Sequence, residues 1–537
     1  MKIKFKLSKE RIQIVIVFLV TMFICLIPLF SINCIQGHDL EYHLLRIESL
    51  KEGILNGLPF LKINMLFFGG RGYASSLFYP DFLLYIPALL RCAGVSINLS
   101  YHIFVALCFM AAFAAMYFCV NEMWGNKYLA LMSAVIYSLA QYHLDDVYTR
   151  AAVGEYCAFI FIPFLLYGLY QMVCGKMEKP QIMVIGFCGL ILCHTITTIL
   201  MIGVYLVAFI ISFKKLLAEK KQIITLILSA IFVITITAFY WAPVIEQLSI
   251  SSFAGAAIFD LNYEKLMLVD IFTNTNPGLG IVLFIPMLFR IFIKTKSDKI
   301  RFADLCMVAG ILAALVSTGL LPWARLQNYL GFMQFPWRTF MVATPMLSVA
   351  GAIYITAYFG SDFDNTKSQI TILLLVAIMG ACAINTYGRL DQGYYSYSND
   401  YYDYEKFTGA VIGGEWLPAT VEDRSKLTDN CNIAYSENGS IEVSRYKNTL
   451  SFVSDGSEFV DVPFIYYKGY RATVGETEAV VTGNGDNGMC RVMLNGSNGE
   501  TVIVKYMQTI VQTCSEIISV IFLIIFIFSM CVRRKKD

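Results

Sequence analysis

Charge is scarce in this chain. Only 15% of its 537 residues are Asp, Glu, Lys or Arg, while 57% are hydrophobic and the mean hydropathy is +0.62. Soluble domains carry roughly a quarter charged residues, so a set of ordinary globular domains is excluded. The fifteen cysteines contain no C-x-x-C pair and mostly sit singly in apolar runs, as at Cys25, Cys108, Cys119 and Cys188. That pattern argues against a zinc site or a disulfide scaffold. Cys431 and Cys490, in the more polar C-terminal region, are the pair that could bridge. No P-loop, dinucleotide fingerprint or Ser-His-Asp ordering is present. Histidine is scarce, with five in the chain: His38, His43, His102, His143 and His194.

Apolar runs fill the space that charge leaves. The first, from Ile12 to about Ile32, follows a basic N-terminus. Its length of about 20 residues suits an uncleaved membrane span better than a signal peptide. Further runs centre near 99–120, 127–142, 151–173, 181–193, 196–213, 223–243, 279–293, 303–320, 339–359, 369–386 and 510–532. Together they predict a mainly α polytopic membrane protein of about twelve spans with both termini cytoplasmic, placed in the plasma membrane. Charge sidedness supports that count. Lys2–Arg11, Lys176/Lys179, Lys214/Lys215/Lys220/Lys221, Arg290–Arg301 and Arg533–Lys536 then share the inner side, as the positive-inside rule requires. The run Phe78–Val95, interrupted by Pro80, Asp81, Pro87 and Arg91, would break the rule if it crossed. It is therefore expected at the outer interface.

This topology divides the chain into a transmembrane domain at 1–386 with a first outer loop at 34–98, an extracytoplasmic domain at 387–507, and a last span with a basic tail at 508–537. In the extracytoplasmic part the turn pairs Asn438-Gly439, Asp455-Gly456, Asn484-Gly485 and Asn495-Gly496 separate β-rich runs such as Ile441–Arg445, Thr449–Val453 and Thr501–Tyr506. Short strands with such turns predict an antiparallel β-sandwich. The tyrosines Tyr394, Tyr395, Tyr397, Tyr401, Tyr402 and Tyr404 form an aromatic belt or a stack for sugar rings.

The first outer loop carries the sharpest local pattern. Asp39 stands where a helix N-cap belongs, and Leu40, Leu44, Ile47, Ile54 and Leu55 recur at helical spacing, so one stripe can lie in the lipid interface. Asp39, His43 and Arg46 are spaced i, i+4, i+7 and share a face. A plain solvated helix face is the alternative. A metal held by His38, Asp39 and His43 is a weaker one, because the spacing matches no established ligand set.

The run Gly37–Arg46, with Gly70-Arg71-Gly72-Tyr73, Leu77-Phe78-Tyr79-Pro80-Asp81, Gln141-Tyr142-His143, Arg150-Ala151-Ala152-Val153-Gly154-Glu155, His194-Thr195, Phe335-Pro336-Trp337-Arg338 and Gly414-Glu415-Trp416-Leu417-Pro418, resembles a family of large bacterial membrane proteins labelled 6-pyruvoyl-tetrahydropterin synthase-related. Nothing in the chain looks like the soluble pterin enzyme. The architecture of that family is similar to the GT-C glycosyltransferases, which take sugars from polyprenyl-phosphate carriers and place an acidic residue and interfacial helices in the first outer loop. The resemblance implies a GT-C-like transferase whose partners are a polyprenyl-phosphate-linked sugar, membrane lipids and a glycan or lipid acceptor.

Such a reaction needs a base for the acceptor hydroxyl and cations for the departing phosphate. Asp39 matches the GT-C acidic position and is the expected catalytic base. Arg338 and Arg150 each begin an inward-running span. A cation at a helix N-terminus costs roughly 0.3–1 kcal/mol unless an anion joins it. An ion pair of Arg150 with Asp146 or Glu155, and Arg338 resting beside Trp337, are the alternatives. Asp145 and Asp146 with Asp39 could hold a divalent cation or position an acceptor, or could be turn residues. With His43, Arg46, Glu155 and His194 these complete the expected substrate-binding set. No cofactor is otherwise called for. Nucleic acid is excluded by the topology, and a transporter or flippase of lipid-linked glycans is the competing reading.

Overall fold

The computed structural model describes residues 8–255, 259–273, 277–390, 394–395, 414–428 and 431–534. Most of the tyrosine-dense stretch and the extreme basic ends lie outside the described residues. Among the described residues seven helices are long and apolar enough to cross a membrane: Lys9–Phe30, Ile97–Trp124, Val153–Val173, Thr195–Ala218, Pro336–Phe359, Thr366–Tyr387 and Ile510–Val532. The chain is thus a membrane protein. Counting the broken pair Lys220–Ile236 and Ala238–Leu248 as one span gives eight, short of the twelve expected.

The difference has local causes. The run at 127–142 breaks at Leu139–Ala140 into Lys127–Ser138 and Gln141–Tyr148, and the one at 181–193 forms only Pro180–Ile191. At 279–293 the chain winds as short 3-10 helices, Ile281–Leu283 and Ile285–Phe292, which are poor spanning elements. Asp298–Val316 is long enough but brings Asp298, Lys299, Arg301 and Asp304 into its first turns. Phe78–Val95 is likewise no single helix: Ser75–Phe78 and Tyr85–Cys92 flank a 3-10 turn.

The chain divides into two compact units. The first comprises 1–40, 101–233 and 258–396. Its centre is the helix Phe340–Phe359, buried from Phe340 through Thr356 and packed on Asp298–Val316 and Lys127–Ser138. Close helix approach depends on glycine here: a Cβ on Gly310 would lie 2.7 Å from Leu347 Cγ, and one on Gly189 2.1 Å from Phe161 Cδ1. A two-residue strand pair joins Cys34–Ile35 to Tyr394–Tyr395.

The second unit comprises 41–100, 234–257 and 397–537. Its β-rich part holds two five-stranded sheets with all pairings antiparallel. One runs Val481–Thr482, Met489–Met493, Phe459–Ile465, Ile433–Ser436, Gly439–Glu442. The other runs Ser444–Tyr446, Thr449–Asp455, Asn498–Tyr506, Tyr470–Val474, Thr477–Ala479. Alternate residues are buried, as with Val460 and Val462 in one sheet and Val502 and Val504 in the other. Glu437–Asn438 closes the hairpin between Ser436 and Gly439. Asn495 and Gly496 take positive φ in the turn between Met493 and Asn498. Cys431 and Cys490 are both free thiols. The polar step from the β-rich part to the final helix is pinned by Glu246, which accepts from Thr509 Oγ1 at 2.6 Å and pairs with Lys468 at 3.0 Å.

The helix Leu40–Leu55 corrects one expectation. Of its stripe, Leu40, Leu44 and Ile47 are buried while Ile54 is half-buried and Leu55 exposed, and residues 43–50 are buried on every face, polar residues included. Segments about forty residues downstream supply the counter-charges. Asp81 accepts from Arg46 Nε at 3.1 Å, and Glu48 accepts from Arg91 Nη2 at 3.2 Å. A buried charge is tolerable only with such partners.

Candidate functional site

Six of the expected residues gather in the first unit, around the loops at 37–40 and 149–152. The main-chain amide of His38 donates to the Thr149 carbonyl at 3.2 Å, and that of Asp39 donates to the Arg150 carbonyl at 2.9 Å. The contact is tight enough to require glycine: a Cβ on Gly37 would sit 2.4 Å from the Cβ of Ala151, itself at φ +51. Sequence order hides this docking, because the two loops are more than a hundred residues apart.

Asp39 immediately precedes the helix starting at Leu40. Among the described residues its side chain makes no hydrogen bond and no ion pair. The residue is exposed, but neighbouring protein crowds the carboxyl. That crowding pushes its pKa above the usual aspartate value, and the positive fields of Arg150 and Arg338 offset part of the rise.

Behind it lies a buried ionic network. Arg150 forks onto Glu155, with Nη1 to Oε2 and Nη2 to Oε1 both at 2.9 Å, and also pairs with Asp146. Both ion pairs read from the sequence spacing are therefore present, made by a single guanidinium. Arg338 Nε lies 3.0 Å from Glu155 Oε1 without hydrogen-bonding geometry, while Nη1 donates to the Met333 carbonyl at 3.1 Å. Glu155 thus joins the two arginines. Tyr142 adds a third donor to it at 3.0 Å. The arginines rest on aromatic faces, Arg150 4.5 Å from the Trp337 ring centre and Arg338 5.3 Å from that of Phe335. Trp337 thus carries Arg150, where the sequence reading set it beside Arg338.

The protonation of the cluster follows from burial. Asp146 is wholly buried with Oδ2 unpartnered, and burial holds its carboxyl well above the usual range. His194 faces the same field. Its Nδ1 accepts from the Thr197 amide at 3.3 Å, and burial holds the ring neutral with its pKa down at about 3. The proton of the neutral ring then sits on Nε2, an uncharged donor.

The remaining expected residues have other partners. Asp145 accepts from Gln141 Nε2 at 3.5 Å, and burial raises its carboxyl to about 8. His43 and Arg46 belong to the second unit. There Arg46 is wholly buried, committed to Asp81, to the carbonyls of Tyr79 and Pro80 at 3.1 and 2.8 Å, and to His43 Nδ1 at 3.2 Å. Among the described residues no group of three or more His, Cys, Asp or Glu is placed to hold a metal ion. Sequence reasoning missed Tyr142 as a member. Its place in the Gln141-Tyr142-His143 run, already singled out in the resemblance, was the available signal.

No protein-family model matches the chain. A protein of Lactococcus lactis subsp. cremoris (strain MG1363), described as uncharacterized, is 24% identical over 339 residues, covering 59% of this chain and 55% of that protein. The chain therefore spans about half the length of that relative. Among solved structures, the arabinofuranosyltransferase AftD from Mycobacteria is similar with a TM-score of 0.44 at 15% identity, covering 72% of this chain and 27% of that one. The Archaeoglobus fulgidus oligosaccharyltransferase, tethered with an acceptor peptide, gives a TM-score of 0.41 at 13% identity, covering 75% of this chain and 56% of that one. Likenesses this partial leave functional weight to the residues of the chain itself.

Proposed function

We propose that the chain is a membrane glycosyltransferase of GT-C type that moves a sugar from a polyprenyl-phosphate carrier to an acceptor hydroxyl on the outer side of the plasma membrane. The observation that carries this reading is Asp39, an exposed residue whose crowded carboxylate has no partner among the described residues and stands in the field of two arginines that meet Glu155. In the proposed step Asp39 takes the proton of the acceptor hydroxyl as its oxygen bonds to the anomeric carbon. The bond from that carbon to the phosphate oxygen breaks, and the carrier phosphate leaves with the electron pair. Arg150 and Arg338 stabilise the growing negative charge, and the neutral His194 offers a donor without adding charge.

The membrane arrangement in this reading is the multi-pass one, with about twelve crossings counting the short and broken segments, cytoplasmic termini, and residues 387–507 outside. The competing transport reading draws on one feature, the broken pair Lys220–Ile236 and Ala238–Leu248, since interrupted helices line transporter sites. The residues at the break, Ile236, Thr237 and Ala238, are uncharged, which favours transfer.

The test is sugar transfer by purified protein from radiolabelled polyprenyl-phosphate donors, wild type beside Asp39→Asn. Transfer by wild type that falls about 10²–10⁴-fold in the variant supports the assignment. Saturable donor binding without turnover, equal in both proteins, moves the assignment to transport.

A further inference from the structure

Within the second unit, the β-rich part meets the membrane helix Ile510–Val532 at a defined height. The strand Asn498–Tyr506 runs toward that helix, with Met507, Gln508 and Thr509 between them. Gln512, in the first turn of the helix, donates to the Tyr506 hydroxyl at 2.7 Å, and the Met507 amide donates to the Gly469 carbonyl at 2.9 Å. The strand end therefore stands directly on the helix. The neighbouring strands are antiparallel, so their residues at this end are fixed by register. Lys505 faces Thr449 on one side and Arg471 on the other, and Thr449 faces Tyr446. Val504 and Ala472 are buried, so Lys505 and Arg471 point outward from one face of the sheet, with Thr449 and Tyr446 beside them. A row of Tyr446, Thr449, Lys505 and Arg471 thus crosses the membrane end of the sheet, about 14 Å from first to last.

Charge in this row is one-sided. Lys505 and Arg471 are directly opposite, an arrangement in which like charges repel. Glu478, one row further from the membrane, reaches Arg471 at 3.3 Å with both side chains well exposed, which makes a weak pair. Lys505 has no ion pair among the described residues. Lys447 adds a cation at the corner. It occupies the turn between Tyr446 and Thr449 at φ +55, where asparagine or glycine is the usual choice. Its Nζ lies 5.5 Å from the Tyr446 ring centre and donates to the Asn56 carbonyl at 3.3 Å. The loop after Asn56 carries Leu58 and Phe60, both exposed, and then Lys62, which pairs at 3.4 Å with Glu516. Glu516 is about 9 Å along the membrane helix from Ile510. The loop tied to Lys447 therefore reaches the level of the helix's first turns.

We infer that the row Tyr446, Thr449, Lys505 and Arg471, with Lys447 at its corner, docks the phosphate of an anionic phospholipid headgroup. A phosphodiester between Lys505 and Arg471 relieves their repulsion and accepts from both, and the Thr449 hydroxyl is a further donor. Tyr446, exposed and amphipathic, suits the headgroup level as interfacial aromatics do. A zwitterionic headgroup would bring its own ammonium to a cluster of cations. The strand end standing on a membrane helix brings lipid phosphates within reach, and this selects lipid over a soluble anion. The inference requires that Ile510–Val532 crosses the membrane and stands whether or not the chain transfers sugar.

The test uses full-length protein in nanodiscs of equal phosphatidylglycerol and phosphatidylcholine. A photoreactive benzophenone amino acid replaces Tyr446, which keeps an aromatic ring there, and lipid adducts on its peptide are counted by mass spectrometry. Phosphatidylglycerol adducts should exceed phosphatidylcholine adducts about tenfold, as two surface cations warrant. Lys505→Gln/Arg471→Gln should bring the ratio to that of the mixture, while Lys505→Arg/Arg471→Lys should keep the preference. Both exposed pairs are checked for folding by thermal unfolding. Three results overturn the site: no lipid adduct at position 446, adducts in the proportion of the mixture, or a preference that survives the glutamine pair. Loss of the preference on adding inorganic phosphate at constant ionic strength, or polyprenyl phosphate at a few lipids per disc, would overturn the phospholipid as occupant.

Discussion

The amide of Asp39 and the carbonyl of Arg150 are joined over 2.9 Å, so a free carboxylate and a guanidinium committed to Glu155 are carried by two loops tied at their backbones. The position of Asp39 over the ionic network is therefore set by main-chain bonding and by Gly37, with no help from its own side chain.

A first consequence concerns steric fit. Gly37→Ala pushes a methyl into Ala151, 2.4 Å away, and overpacking of this kind costs roughly 1–3 kcal/mol. We expect transfer to fall at least tenfold through displacement of Asp39, with a modest loss of thermal stability. The double variant Gly37→Ala/Ala151→Gly should recover much of both, because it deletes the clashing carbon and puts glycine at the positive φ of residue 151. Assay and melting of the three variants decide it, and a double variant no better than the single one would refute the argument.

A second concerns pH. A base works when ionised, so transfer should fall as pH drops through the folded pKa of Asp39. Crowding raises that pKa, which puts the acid limb of kcat/KM above the ordinary aspartate value of about 3.9. Arg338 pulls the value down, so Arg338→Met should move the limb further toward neutral pH in whatever activity it retains. A profile flat to pH 4, or an unshifted limb in the variant, counts against Asp39 as the base.

The long apolar helices and the Asn-Gly and Asp-Gly turns were legible in sequence because both signals are local. Arg150 with Asp146 and Glu155 was legible for the same reason, at separations of four and five residues. The burial of the Leu40–Leu55 helix was not. Its charges are matched by Asp81 and Arg91, about forty residues away, and periodicity sees only the apolar stripe. The expected count exceeds the spans found among the described residues where an apolar run breaks at Leu139–Ala140, winds into 3-10 turns near Ile285, or takes on charge near Asp304.

A third consequence concerns stability against pH. Asp145 is buried and titrates at about 8 in the folded protein, against about 3.9 unfolded. Between those values the folded state holds a proton that the unfolded chain has lost, so this group's contribution declines as pH rises and is gone above pH 8. Asp145→Asn stays neutral throughout. Melting temperature should therefore fall less from pH 5 to pH 9 in the variant, with the variant the more stable at pH 9. Parallel curves would show that Asp145 is ionised when folded.

The last consequence separates what the network does for folding from what it does for chemistry. Glu155 and Arg150 are buried, and removing one partner of such a pair costs roughly 3–5 kcal/mol by stranding the other charge. Glu155→Leu takes the carboxylate from Arg338 and leaves Arg150 with Asp146 alone, while Arg150→Met leaves Glu155 with Arg338 and Tyr142. Glu155→Leu should therefore be the more damaging single change. The double variant should be more stable than the sum of the singles implies, with a coupling of about 0.5–3 kcal/mol. Activity should not return with stability, since the double variant lacks the cation proposed to face the phosphate and the carboxylate beside Arg338. Additive stability losses in thermal unfolding would mean the pair is uncoupled. Transfer restored in the double variant would remove Arg150 from the chemistry.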